Sequence, residues 1–282
     1  MVSNQLIDNQ LKSNQNLLRS MIREILNTPE QYCLMEICGT HTLAFSETGI
    51  RELIKPKIHL LSGPGCPVCV TSEEYIDSAI ALARYPNVVL ATFGDLMRIK
   101  GSTEDLMTIK ERGKEVRVLY SPLDCINLAK DCTDKEIIFL GVGFETTAPL
   151  IALAIKKAKE LGIKNCSFLL GLKRMEPVLH YILRDPTHKI QGMICPGHVA
   201  AVTGAGYFRF ITNQYHIPAV IAGFEEVDLL GAVYFLTVNQ RIMDKKFENQ
   251  YRTCVNEFGN HFAKNLMEEV FDACDSDGEE LV

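Results

Sequence analysis

Leu60-Leu61-Ser62-Gly63-Pro64-Gly65-Cys66-Pro67-Val68-Cys69-Val70-Thr71 decides how this chain is read. An apolar strand arriving from Ile58 meets a glycine-proline turn, presents a Cys-x-x-Cys pair, and enters a helix at Thr71, with Glu74 completing a Thr-x-x-Glu capping box. Two sulfurs at a strand-to-helix turn are disposed for chemistry, because a helix N-terminus favours the thiolate, the form that attacks disulfides and binds metal. Upstream, Leu34-Met35-Glu36-Ile37-Cys38-Gly39-Thr40-His41-Thr42 repeats the design: a short apolar strand ends on a cysteine, followed by glycine, a hydroxyl residue and a histidine. Cys38 and His41 are expected near each other.

The pattern continues in both directions. Leu17, Leu18, Met21, Ile22, Ile25 and Leu26 recur at helical spacing before Pro29, so an amphipathic helix opens the fold. Strands are predicted over 33–37, 58–61, 88–92 and 116–120, with helices over 43–53, 73–85 and 103–112 between them. A second set follows: strands 137–141, 167–170, 191–195 and 219–222, with helices 148–161 and 175–184. Strands alternating with helices imply parallel sheets with crossover helices. Leu140-Gly141-Val142-Gly143 echoes Leu61-Ser62-Gly63-Pro64-Gly65, so we expect an α/β fold of two similar lobes, 1–125 and 126–238, with N-terminal and C-terminal helices and a helical segment with an acidic tail over 239–282.

Composition narrows the function. With 282 residues, 47% hydrophobic, the chain can fill real cores, and a net charge of −6 gives no basic surplus for nucleic acid or anionic lipid. Residues 1–16 are polar, and no apolar run approaches the roughly 20 residues of a membrane span. A soluble cytoplasmic protein is expected. Its ten cysteines then read as buried fillers, metal ligands or redox groups; Cys125, Cys132 and Cys166 lack paired spacing and read as fillers.

In open α/β sheets functional groups collect at the carboxyl ends of strands. That rule selects five turns, expected to face one cleft: Cys38 to His41, Gly63 to Cys69, Phe93 to Asp95, Gly143 to Pro149, and Cys195 to His198. Cys66 and Cys69 read as a redox dithiol or half of a metal site. Cys38-x-x-His41 with Cys66-x-x-Cys69 also resembles a four-ligand zinc pattern, although structural zinc usually staples domains too small for a core. His41 reads as a cap or a functional group, and His198 as a cleft residue beside a filler Cys195. Glu145 reads equally as a first-turn carboxylate answering a helix dipole or as a polar group fixing a ligand, and one of Thr146 and Thr147 as an N-cap. The third glycine of a dinucleotide fingerprint falls on Val68 or Thr146, and no Walker lysine motif or serine elbow exists.

Taken together, Cys38-Gly39-Thr40-His41-Thr42, Gly63-Pro64-Gly65-Cys66-Pro67-Val68-Cys69, Gly143-Phe144-Glu145-Thr146-Thr147-Ala148-Pro149 and Pro196-Gly197-His198-Val199 resemble the HypD family of hydrogenase maturation factors, and the resemblance continues to about Phe271. It implies a scaffold, rather than a turnover enzyme, on which the Fe(CN)2CO group of NiFe hydrogenases is built together with a HypC-type chaperone and a HypE-type donor of cyanide-forming groups. It implies iron held at Cys38 with His41 close by, and Cys66 and Cys69 as a redox dithiol or iron contact. Metal would then be held by Cys38, Cys66 and Cys69, with His41, Glu145 and His198 shaping the cleft. Two rivals stay open: a structural zinc interaction module, and a metal-free thiol oxidoreductase. The resemblance further implies a cysteine-rich segment binding a 4Fe–4S cluster beyond Phe271. Here Asp272-Ala273-Cys274-Asp275-Ser276-Asp277-Gly278-Glu279-Glu280 is acidic, expected to be disordered, and Cys254 and Cys274 cannot supply four ligands, so a truncated form is expected.

Overall fold

The computed structural model describes residues 15–239 and 246–274. Residues 1–14 and the acidic run from Asp275 onward lie outside the described residues. A helix over residues 15–26 (α1) leads into β1 (Tyr32–Cys38), α2 (Gly39–Glu47), α3 (Ile50–Ile54), β2 (Ile58–Gly65), α4 (Glu73–Ala83), β3 (Val88–Thr92), α5 (Leu106–Glu111) and β4 (Val116–Val118). Then come α6 (Asp124–Asp131), β5 (Glu136–Gly143), α7 (Ala148–Glu160), β6 (Cys166–Leu172), α8 (Met175–Arg184), β7 (Gly192–Pro196), α9 (Gly197–Thr203) and α10 (Arg209–Tyr215). The chain continues through β8 (Ala219–Ala222), α11 (Glu226–Tyr234), β9 (Phe247–Asn249) and α12 (His261–Val270). The fold is α/β with two sheets, and every pairing between named strands is parallel.

The two compact units are discontinuous in sequence. One runs up to Gly65 and resumes over Glu176–Asn260; the other is Cys66–Met175 with the chain from His261. The boundaries expected at 125 and 238 do not coincide with these units. β1 pairs with β7, Leu34 opposite Gly192, so the first sheet is completed by strands from late in the chain, in the order β2-β1-β7-β8-β9. The segment expected to be a helical C-terminus instead contributes β9 to this sheet. Its true helix, α12, packs in the second unit, where Lys156 Nζ donates to both carboxylate oxygens of Glu269, at 2.9 and 2.7 Å.

In the first unit, β7 and β8 are buried along their whole length, as continuous apolar runs in a parallel sheet should be. Ile25, Leu34, Phe45, Ile54 and Leu229 meet in one core on this sheet. The second sheet has the order β4-β3-β5-β6. Side chains alternate across it: Leu90, Ile138 and Leu140 face a core with Ile76 and Ile80 of α4, while Val89, Ala91, Ile137 and Phe139 face another with Cys125 of α6 and Ile151 of α7.

The largest local departure from the sequence reading is the expected glycine-proline turn, which is strand. β2 runs straight through Gly63-Pro64-Gly65, and after an irregularity beside Ile37, Cys38 pairs with Gly65. A Cβ on Gly65 would stand 2.1 Å from the Ile37 carbonyl oxygen and 2.4 Å from Cys38 Cα. Glycine is needed there for close approach of two backbones.

Candidate functional site: a thiol, two imidazoles and a separate cysteine pair

In the first unit the strand order places a switch point between β1 and β7. From β1 the chain passes to β2 on one side, and from β7 to β8 on the other, so the chain leaves β1 and β7 in opposite directions at their carboxyl ends, the edge where open α/β sheets bind ligands. Cys38 ends β1 and His198 follows β7. Their Sγ and Nε2 atoms lie 3.5 Å apart. Cys38 is also the N-cap of α2, its sulfur accepting the Thr40 N–H at 3.3 Å.

His41 is fully buried one turn into α2. Its Nε2–H donates to the Gly223 carbonyl at 2.9 Å, just beyond β8, which leaves Nδ1 as a bare lone pair with no hydrogen-bond partner among the described residues. Burial pushes the His41 pKa down to about 4, and His198 adds to the effect. Burial lowers His198 as well. Both rings are therefore neutral at pH 7. The Phe224 ring stacks on both, with centroids 4.6 Å from His41 and 5.0 Å from His198. His41 thus reaches the β8 turn, while His198 is the imidazole against the Cys38 sulfur.

Behind Cys38, the fully buried Glu36 of β1 receives the Arg51 guanidinium, the Ser62 hydroxyl at 3.2 Å and the Thr42 hydroxyl at 3.3 Å, all on Oε1. Burial raises its pKa, outweighing Arg51. Oε2 is buried with no hydrogen-bond partner among the described residues. This carboxylate was not singled out from sequence, though a lone acid inside the apolar strand Tyr32-Cys33-Leu34-Met35-Glu36-Ile37-Cys38 is a readable signal. Phe224, which follows β8 at the same sheet edge, was also missed.

The second unit holds Cys66 and Cys69, joined in a disulfide with Cα atoms 5.3 Å apart. Cys69 is exposed and Cys66 half-buried, with Val68 between them buried in the core. α4 starts later than the capping box implied. Its N-cap is Ser72, accepting the Tyr75 N–H at 3.3 Å, because the Thr71 hydroxyl donates to the Pro67 carbonyl at 2.9 Å. The cysteine pair therefore precedes the helix by a full turn of chain and is not at its N-terminus.

In the same unit the switch point lies between β3 and β5, and the Gly143 to Pro149 turn leaves it. The buried Glu145 accepts the Met175 N–H on Oε1 at 2.8 Å. Thr147 is the N-cap of α7 without a side-chain bond, and Pro149 lies in the first turn. The five turns expected at one cleft are thus shared between two sheets: Cys38 to His41, Gly63 to Gly65 and Cys195 to His198 in the first unit, Cys66 to Cys69, Phe93 to Asp95 and Gly143 to Pro149 in the second. Cys195 is fully buried, as a filler should be.

Among the described residues, no group of three or more His, Cys, Asp or Glu side chains is placed to hold a metal ion. The zinc set of Cys38, His41, Cys66 and Cys69 meets two specific obstacles: two of its sulfurs are bonded to each other, and His41 Nε2 is committed to Gly223. A 4Fe–4S cluster needs four thiolates. The described cysteines do not gather into such a set. No helix among the described residues is long and apolar enough to cross a membrane.

Fold and site together define a parallel α/β protein with a capped thiol against an imidazole at the switch point of one sheet and a cysteine pair ahead of the other. The sequence model of the family described as HypD, hydrogenase formation hypA family, matches residues 13–279, and the chain belongs to that family. It is 38% identical over 238 residues to the hydrogenase maturation factor HypD of Escherichia coli K12, covering 84% of this chain and 64% of the relative. It is 41% identical over 252 residues to the hydrogenase expression/formation protein HupD of Azotobacter chroococcum, covering 87% and 66%. To the HypD of Rhodobacter capsulatus it is 41% identical over 241 residues, covering 85% and 63%. The chain thus spans a little under two thirds of the length of these relatives.

Proposed function

We propose that this chain serves NiFe hydrogenase maturation as a cytoplasmic scaffold on which the Fe(CN)2CO group, its cargo, is assembled. The observation that carries this reading is Cys38, a nearly buried thiol with one sulfur offered at a switch point, capped by Thr40 N–H and backed by a neutral His198. A soft thiolate suits low-valent iron, and a single protein sulfur leaves coordination positions for diatomic ligands and for a thiolate of a HypC-type partner. His198 accepts the proton that Cys38 must lose before it binds metal. His41 anchors the Gly223 turn and, through Phe224, the orientation of His198.

Cys66 and Cys69 act as the redox pair, since closing a disulfide releases two electrons and two protons and opening it takes them up. Glu145 holds the start of α8, and a HypE-type partner delivers the cyanide-forming groups. The chain works as a scaffold without multiple turnover. The test is anaerobic co-purification with a HypC-type partner, followed by metal analysis and infrared spectroscopy. Cyanide and carbonyl stretches with about one iron per complex are expected, and both vanish in Cys38→Ala. Iron occupancy unchanged in that variant would refute the role given to Cys38.

A metal-free thiol oxidoreductase is the second reading, favoured by the Cys66–Cys69 disulfide alone. It requires catalysed disulfide exchange by the metal-free chain, lost in Cys69→Ser.

A further inference from the structure

Among the described residues the His198 side chain has a single hydrogen-bond partner, the Cys38 sulfur. An imidazole that must keep one nitrogen on a chosen atom is commonly oriented by a hydrogen bond on its other nitrogen. With no such bond among the described residues, the orientation of His198 has to come from packing. Its ring lies on Phe224, with centroids 5.0 Å apart and planes at 25°. The question is then what holds the turn after β7, which carries His198, to the turn after β8, which carries Phe224.

Tyr251 packs against both turns. It follows β9 in the same unit. A Cβ on Gly197 would stand 2.4 Å from Tyr251 Cδ1 and 3.0 Å from Cε1, and a Cβ on Gly223 would stand 2.9 Å from Cε2. One edge of the ring therefore covers the residue before His198, and the opposite edge covers the residue before Phe224. Glycine at both positions lets the ring lie directly on backbone. The ring also meets Phe224 edge-on, with centroids 6.5 Å apart and planes at 84°.

Tyr251 is itself held. Its N–H donates to Asn249 Oδ1 at 3.0 Å, and its carbonyl accepts the N–H groups of Cys254 and Val255 at 3.1 and 2.9 Å. Asn249 pairs with Ile221 in the ladder between β8 and β9, and its Nδ2 donates to the Val255 carbonyl at 2.9 Å. None of these bonds or ring contacts uses the phenol hydroxyl.

We propose that Tyr251 is a positioning residue for the candidate site: its ring clamps the turns after β7 and β8 and so holds the His198 imidazole against the Cys38 sulfur. The effect on Cys38 rests on the function proposed above for that thiol and His198; the placement of His198 does not. Leucine has no atoms where Cε1 and Cε2 of the ring stand, so in Tyr251→Leu the two turns separate, the stack on Phe224 loosens and His198 leaves the sulfur. Phenylalanine keeps both edges.

Proton NMR of the full chain reads this arrangement. In the unaltered chain, nuclear Overhauser contacts should join the Tyr251 ring protons to the α-protons of Gly197 and Gly223. The His198 Hε1 signal, identified by its loss in His198→Ala, should be displaced by the Phe224 ring current. Tyr251→Leu should move that signal toward the position of an exposed histidine and slow alkylation of Cys38 by iodoacetamide several-fold, and Tyr251→Phe should preserve both. A lower urea midpoint in Tyr251→Leu with Hε1 unmoved would overturn the proposal, as would equal shifts in the two variants. Hε1 moving while the Cys38 rate stays the same would support the clamp and remove His198 as the acceptor of the Cys38 proton. Should Tyr251→Leu fail to fold, the Overhauser contacts of the unaltered chain decide: their absence overturns the clamp, and their presence with a displaced Hε1 supports it.

Discussion

The sulfur of Cys38, which ends β1, and Nε2 of His198, which follows β7, stand 3.5 Å apart although they are far separated in sequence, because β1 and β7 are neighbours in one sheet. A neutral imidazole at that distance is within hydrogen-bond reach of the Cys38 sulfur. His198→Ala should slow alkylation of Cys38 by iodoacetamide at neutral pH several-fold, because the group placed to take up the thiol proton is removed. An unchanged rate, followed by mass spectrometry on the Cys38 peptide, would show that the pair is only packed together.

Gly65 sets the position of Cys38 from the other side. A Cβ there overlaps the Ile37 carbonyl, which belongs to the backbone and cannot rotate away. Gly65→Ala should cost on the order of 3 kcal/mol of stability by overpacking. Circular dichroism during urea unfolding measures this, and a loss within a few tenths of a kcal/mol of wild type contradicts the assigned close approach.

The Glu36–Arg51 pair makes a third prediction. Removing a buried carboxylate from its guanidinium leaves Arg51 uncompensated, so Glu36→Ala should destabilise the chain by about 3 kcal/mol or more. The Arg51→Ala, Glu36→Ala double variant should be less impaired than the sum of the singles. Additive losses in that cycle would mean the two side chains do not interact.

Acid stability follows from His41. Its folded pKa of about 4 lies below the ordinary 6.5, so between those values the unfolded chain binds the proton more tightly. Stability is fully present above about pH 6.5 and falls as the pH drops toward 4, by at most about 3 kcal/mol. His198 acts in the same direction, and the raised Glu36 carboxyl in the opposite one. Comparison with His41→Gln, whose amide can still donate to the Gly223 carbonyl, isolates the His41 share. Urea midpoints measured across this range should vary less steeply in the variant; equal slopes would remove His41 from the account.

Much of this was legible in the chain. Periodicity gave strand 88–92 and helix 175–184 to the residue, because apolar runs bounded by turn residues leave few alternatives. The parallel two-sheet class followed from alternation, and the cysteine and histidine turns at the strand ends were selected by the carboxyl-edge rule. Capping was less secure: Ser72 displaced Thr71, since which hydroxyl reaches an open N–H depends on what else each can bond.

Sequence by itself thus determined the local elements, the parallel class and the family, all of which rest on near-neighbour pattern and residue type. Only the tertiary structure decided that β1 pairs with β7 rather than completing a lobe with the strands that follow it, that Cys38 therefore meets His198 while His41 turns to Gly223, and that Glu36 is buried against Arg51. Those facts come from strand order. Strand order is fixed by the summed burial of whole apolar faces, a free energy spread over many residues distant in the chain and carried by no single motif.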